Sequence, residues 1–314
     1  MTDKTKSNLA KAALVIATII WGGSFVVLKN ALGTMPPYFV LGVRSIIATV
    51  ILSIVFWKRF RKIDRKYLWK GMIMGTLLFV AFAFQTHGLM GTTPGKNAFL
   101  TSVYCVLVPF FYWIFTRIRP DRYNVLAALL CIIGIGFVSL RGESISLGGP
   151  LIAQGDVLTL ISGIFYALHI VAVAKFASGK DIILLTVIQF ATYAVLATIM
   201  FLLLEKAPAS IDFEGAMSLL YLGVFATAIA LLLQNIGQKY TPASQAAVIL
   251  SLEGGLGVGF SIVFYHEQMT ARLFIGFVLI FASVLISETK LNVHPVAYFQ
   301  NVYAKMIDKK ASPK

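Results

Sequence analysis

Several side chains able to do chemistry lie inside long apolar runs, where each is costly unless it finds a partner or water. Glu253 is the one carboxylate in the middle of such a run. A carboxyl group there can carry a proton or hold a cationic group. The alternative is a structural acid, hydrogen-bonded within a helix bundle. Arg44 lies about seven residues into another run. At a helix centre its charge costs roughly 2.5–3.5 kcal/mol, and less where the side chain can snorkel. It reads as a holder of substrate carboxylates or a gate, or as a structural lock paired with a carbonyl or an acid. His169 can titrate, or can serve as a neutral contact between helices.

Uncharged polar residues extend this set. Asn97, Thr101 and Tyr104 stand at i, i+4 and i+7, which is one helical stripe. The stripe is expected to line a cavity, with hydrogen bonding between helices as the rival. Trp21 and Ser24 share a face with Leu28, and Tyr166 and His169 share the corresponding face of a later run. Both faces are expected in the wall of a binding site, against the alternative of aromatic packing. Gln85 and His87 are two residues apart, about 200° around a helix, so one cavity cannot take both. Gln85 is the better cavity candidate. Gln234 is expected inside the bundle and Gln238 at the membrane edge. Gln189, with Thr186 and Tyr193 on its face, reads as structural or gating. Lys29 reads as an interfacial anchor.

Other chemistries are missing from the sequence. There is no Walker A sequence, no His-Glu-x-x-His, no Gly-x-Ser-x-Gly and no pair of intramembrane aspartates. The glycine run Gly254-Gly255-Leu256-Gly257-Val258-Gly259 follows no strand and does not fit the dinucleotide spacing. It suits close helix approach or a bend. Cys105 and Cys131 lie in apolar runs and read as packing thiols. The histidines are scattered, so no metal and no cofactor is expected, and the chain does not read as an enzyme.

The elements that position these groups follow from composition. Of 314 residues, 58% are hydrophobic and only 13% charged, about half the charge of a soluble domain. A soluble globular enzyme and a disordered chain are both disfavoured. Ten apolar segments can be read, at about 10–29, 37–57, 69–90, 97–116, 123–140, 157–175, 182–204, 215–236, 243–265 and 273–289. Such long runs without alternation mean membrane helices, not barrel strands. The first run is read as a span and not as a removed signal peptide.

The formal net charge is +14. With the N-terminus inside, 21 of the 27 Lys and Arg fall on the inner side and five on the outer side, leaving Arg44 within a span. This positive-inside bias places both termini in the cytoplasm and accounts for the net charge without nucleic acid. Within the 291–314 tail, Phe299, Val302, Tyr303 and Met306 share a helical face. An interfacial helix and a frayed polar tail are both open readings.

Divided near residue 150, each half holds five spans, so a shared fold requires the second half to be inverted. A shift of 145 sets Trp21-Gly22 on Tyr166-Ala167, Ser24 on His169, Arg44 on Gln189 and Pro109 on Gly254. The expected architecture is an all-α polytopic membrane protein of ten transmembrane helices, as a five-plus-five inverted repeat. Its units are 10–141 and 157–290, with a cytoplasmic tail at 291–314.

The segments Ile20-Trp21-Gly22-Gly23-Ser24-Phe25, Arg44, Asn97 to Thr101, Pro109, Thr241-Pro242-Ala243, Ser251-Leu252-Glu253-Gly254 and Glu267-Gln268-Met269-Thr270 with Gly276 occur in order. This set resembles the EamA family of the drug/metabolite transporter superfamily over about residues 10–290. The resemblance implies the ten-helix inverted fold and export of small metabolites by alternating access. Gly254-Gly255 stands where the family pattern has proline after Leu-Glu, so any kink there must come from glycine.

The expected protein is therefore a secondary carrier in a bacterial cytoplasmic membrane, exporting amino acids or related compounds. Its partners are a small-molecule substrate and the lipid bilayer. Two energy sources are open: protons, through Glu253 or His169, or the substrate gradient alone, which the single central acid favours. A proton-coupled multidrug or cation exporter is the near alternative, with Trp21, Tyr104 and Tyr166 around Glu253. A non-transporting sensor or assembly protein on the same scaffold is the distant one. The sequence carries no signal for or against a homo-oligomer.

Overall fold

The computed structural model describes residues 3–139 and 153–289. The tail from residue 290 and most of the 142–156 loop lie outside the described residues. Within them the protein is all-helical. The first half contains α1 (Asp3–Ala31), α2 (Pro37–Val55), α3 (Arg65–Met90), α4 (Pro94–Thr101), α5 (Tyr104–Thr116) and α6 (Arg122–Ser139), with a 3₁₀ turn at Trp57–Lys62. The second half contains α7 (Gln154–Phe176), α8 (Ile182–Leu204), α9 (Phe213–Tyr221), a π-helical segment (Leu222–Ile229), α10 (Ala230–Lys239), α11 (Ala243–Tyr265) and α12 (Ala271–Thr289).

Starts and stops follow local chemistry. Pro37 and Pro94 sit in the first turns of α2 and α4, where their missing N–H costs nothing. Asp64, Thr93, Asp181 and Asp212 cap the N-termini of α3, α4, α8 and α9 through their side-chain oxygens. Asp64 lies outside the spans, and the Tyr67 N–H that it accepts holds its carboxyl below the usual value. Arg117 and His266 end α5 and α11 in the left-handed region, at φ 64° and 54°.

Among the described residues, eight segments are long and apolar enough to cross a membrane, with α4–α5 and α9–α10 each counting as one. This is fewer than the ten expected. The other two apolar helices are α6 and α12. Large apolar side chains such as Ile54, Ile132, Leu202 and Val263 point outward and are exposed. With every span closing its own backbone hydrogen bonds, this outer surface suits lipid. The chain is a multi-pass membrane protein.

The halves interlock. α1 packs against α11 and α10, α3 against α7 and α8, α2 against α8, and α6 against α12. α7 in turn packs against α4 and α5. One close crossing joins the end of α3 to the start of α7. A Cβ on Gly155 would stand 2.5 Å from the Gly91 carbonyl carbon and 2.6 Å from the Gly88 oxygen, so only glycine allows the backbones to touch there. In the α11 glycine run, Gly254 faces Ser102, whereas Gly255 and Gly259 have no neighbour within 4 Å. The run serves close approach on one face, and α11 is continuous through it.

Candidate functional site

A narrow cavity lies between the halves. The first half contributes Trp21 and Ser24 from α1, Arg44 from α2, Phe82 and Gln85 from α3 and Tyr104 from α5. The second half contributes Tyr166 and Ile170 from α7, Leu231 and Gln234 from α10, and Leu250 and Glu253 from α11. Most of the wall is apolar or aromatic, with a few convergent polar groups.

Arg44 is 2% exposed. Its Nε donates to Thr227 Oγ1 at 2.7 Å, and its guanidinium carbon lies 4.5 Å from the centre of the Phe82 ring. The ring face favours the cation. Thr227 belongs to the π-helical segment, and its hydroxyl donates to the Leu222 carbonyl, five residues back, at 2.7 Å. The indole Nε1 of Trp21 donates to the Ala226 carbonyl of the same segment at 2.8 Å. A wider helical turn thus presents a carbonyl and a hydroxyl to two cavity residues, a use that suits π segments at functional sites.

Glu253 is 6% exposed and faces the Tyr104 hydroxyl. Among the described residues, no ion pair joins Glu253 to Arg44 or to any other cation, although both charges line one cavity. Gln85 is fixed from two sides. Its Nε2 donates to Thr101 Oγ1 at 3.2 Å, and its Oε1 accepts from the Tyr166 hydroxyl at 2.8 Å.

Four of the polar candidates lie outside the lining. Asn97 and Thr101 stand behind Gln85. Asn97 Nδ2 donates to the Gln85 carbonyl at 3.2 Å and to Thr159 Oγ1 at 2.7 Å. The stripe they were expected to share with Tyr104 is broken at Ser102–Val103, where i→i+3 hydrogen bonds replace the α pattern. That tighter turn shifts the phase, so Tyr104 reaches the cavity and the other two do not. His169 and Gln189 bond to each other, Nε2 to Oε1 at 3.1 Å, away from the cavity. Ile170, next to His169, lines the cavity, and so does Gln234. Gln238 is buried near the end of α10. His87 packs at a tilt against Tyr38, with ring centres 4.8 Å apart, in a separate groove.

The two ends of the bundle are closed differently. At the basic end, Arg59 Nη1 meets Asp181 at 2.5 Å, Lys180 meets Asp64 at 3.6 Å, and Lys239 donates to the Lys180 carbonyl at 2.9 Å. At the far end, Asp156 is fully buried and takes Lys96 Nζ at 2.7 Å and the Thr92 hydroxyl at 2.6 Å. Glu267 accepts from the Thr93 hydroxyl, from Gly95 N–H at 3.0 Å and from the Ser261 hydroxyl at 2.5 Å. Glu205 accepts from the first free N–H groups of α2, at Tyr38 and Phe39, both at 3.0 Å. These three carboxylates of the second half all grip the first half. Lys29 is no lipid anchor: its Nζ caps the end of α3 at the Leu89 and Thr92 carbonyls, at 2.7 and 2.9 Å.

Comparison with known proteins agrees with this architecture. The profile of the EamA-like transporter family matches residues 9–140 and again 153–289. An uncharacterized transporter of Archaeoglobus fulgidus is 32% identical over 291 residues, covering 92% of this chain and 89% of its own length. The uncharacterized transporter YvbV of Bacillus subtilis is 28% identical, with 91% and 93% covered. A crystal structure with 16% sequence identity shares the fold at a TM-score of 0.67, over 90% of this chain and 98% of that one. The chain is a membrane transport protein belonging to the EamA-like transporter family.

Proposed function

We propose that the protein is a secondary carrier that exports small metabolites, amino acids or related compounds, across the cytoplasmic membrane by alternating access. One observation carries this reading. A buried cation, Arg44, and a buried carboxylate, Glu253, line the same cavity without neutralising each other. Each charge is expensive at that depth. A solute bearing both a carboxylate and an ammonium group would satisfy the two together. The aromatic wall of Trp21, Tyr104 and Tyr166 would take its apolar side chain and reinforce the ammonium site.

The packing pattern supports the inverted repeat. Exchanging the halves maps the α1–α11 contact onto α7 with α4 and α5, and α3–α7 onto α10–α1. The α2–α8 and α6–α12 contacts map onto themselves. In this reading α6 and α12 complete ten spans, the units are 10–141 and 157–290, and the basic end faces the cytoplasm with both termini. Alternating access then requires Asp156, Glu267 and Glu205 to release the first half when the far end opens. No ATP site is needed, and the substrate gradient or protons taken by Glu253 supply the drive.

The test is thermal stability of the purified protein against amino acids, purines, sugars, amines and cationic drugs. A ligand at 100 times its dissociation constant adds about 2.7 kcal/mol to the folded state. Hits are expected among zwitterionic amino acids, followed by saturable flux of the same compounds in proteoliposomes. Hits confined to lipophilic cations would replace this reading with cation export through Glu253. Absence of any saturable flux would favour a non-transporting scaffold.

A further inference from the structure

The second half holds a cluster of buried polar atoms that the cavity does not use. Among the described residues, nine buried side-chain polar atoms have no hydrogen-bond partner. Seven of them belong to His169, Gln189, Tyr193, Asn235, Gln238 and Thr241. His169, Gln189, Tyr193 and Asn235 are fully buried. Leaving so many polar groups unmet inside a membrane bundle is expensive, and native proteins resolve such clusters with bound water.

The groups lie along α7, α8 and α10, with His169, Gln189, Asn235 and Thr186 joined by hydrogen bonds. Thr186, Gln189 and Tyr193 lie on one face of α8, rising about 4.5 and 6 Å along the helix. Gln189 Oε1 accepts from His169 Nε2 at 3.1 Å and from Asn235 Nδ2 at 3.4 Å. Asn235 Nδ2 also donates to Thr186 Oγ1 at 2.9 Å. Gln238 follows one turn along α10, at the basic end beside Lys239. At the other extreme, Tyr193 stacks on Phe82 at 5.6 Å, and Phe82 carries Arg44 over its ring.

The unmet atoms decide the ligand. Because Gln189 Oε1 can only accept, His169 Nε2 carries the hydrogen and Nδ1 is left as an acceptor. Asn235 Oδ1 is an acceptor and Gln189 Nε2 a donor, while Gln238 leaves one of each. A bare cation would leave the donors unmet, and an anion the acceptors. Water, which donates and accepts, fits both kinds.

We propose that His169, Gln189, Asn235 and Gln238 hold a file of bound waters running from the basic end of the bundle to the rim of the cavity at Tyr193. The file gives the cavity region an aqueous contact separate from any path wide enough for a solute. It does not depend on which solute is carried.

X-ray radiolytic hydroxyl labelling of the protein in nanodiscs tests this, because bound water is the local source of the radical. After correction for intrinsic reactivity, His169 and Tyr193 are expected to be modified on the order of tenfold faster than Phe190, as only they border ordered water. Phe190 is the internal control, fully buried beside Gln189. In Asn235→Leu, labelling of His169 is expected to fall to the Phe190 level while exposed Phe213 keeps its rate. Equal labelling of His169, Tyr193 and Phe190 in the unaltered protein overturns the proposal, and that comparison stands even where the variant does not fold. Undiminished His169 labelling in a folded Asn235→Leu overturns it as well.

Discussion

Gly155→Ala adds one methyl group where α3 and α7 touch. The new Cβ would meet the Gly91 carbonyl carbon at 2.5 Å, the Gly88 oxygen at 2.6 Å and the Gly91 oxygen at 2.7 Å. These separations fall about 0.7–0.9 Å short of ordinary contact. All three neighbours are backbone, so no side chain can swing aside and the helix ends must part. Overpacking of this kind costs roughly 1–3 kcal/mol, a factor of about 5 to 150 in the unfolding equilibrium. The upper half of that range is expected, because Asp156 follows Gly155 directly and its bonds to Lys96 and Thr92 move with it. Gly255→Ala and Gly259→Ala are the controls. Neither Cβ would meet anything within 4 Å, and each replacement relieves up to about 1 kcal/mol of glycine's helix penalty. Denaturation in detergent, followed by helicity, reads all three. Indistinguishable midpoints for Gly155→Ala and Gly255→Ala would refute the backbone-contact argument.

Four further outcomes are expected. Arg44→Met should lower kcat/KM for carboxylate-bearing solutes roughly 10- to 150-fold, the loss of one charged hydrogen bond, whereas unchanged flux would remove Arg44 from the site. Glu253→Gln should abolish any pH dependence of flux in proteoliposomes, and a pH profile that persists would sink a proton role for this carboxyl group. Trp21→Phe breaks the indole bond to the Ala226 carbonyl and should cost about 0.5–1.5 kcal/mol in a thermal or denaturant titration; no loss would show that bond to be idle. A reporter fused after Lys314 should be active in the cytoplasm, and periplasmic activity would reverse the orientation.

The sequence made Arg44 and Glu253 visible because a charge inside an apolar run has few bland explanations. Trp21 and Tyr166 were legible through the repeat. Thr227 was not, because a threonine among Ala and Ile carries no mark of the π segment that turns it toward Arg44. Asn97 and Thr101 kept the right spacing, but a spacing argument assumes unbroken α geometry, and the Ser102–Val103 turn breaks it. Asp156, Glu205 and Glu267 lie just outside the apolar runs. Their roles depend on which distant backbone they meet, and residues some 60 to 170 positions apart share no local signal.

The unequal closure of the two ends makes ionic strength a thermodynamic handle on this fold. At the basic end the ion pairs are partly open to water, with side-chain exposures of 40% and 13% for Arg59 and Asp181, and 21% and 50% for Lys180 and Asp64. Dissolved ions reach such pairs, and the Debye length shrinks from about 10 Å at 0.1 M to about 3 Å at 1 M. At the far end Asp156 has no exposed side-chain surface, so its attraction to Lys96 is much less screened. Raising the salt concentration therefore loosens one end while leaving the other nearly untouched. A symmetric scaffold decorated in this way has a preferred end at which to yield, and the preference is written in electrolyte.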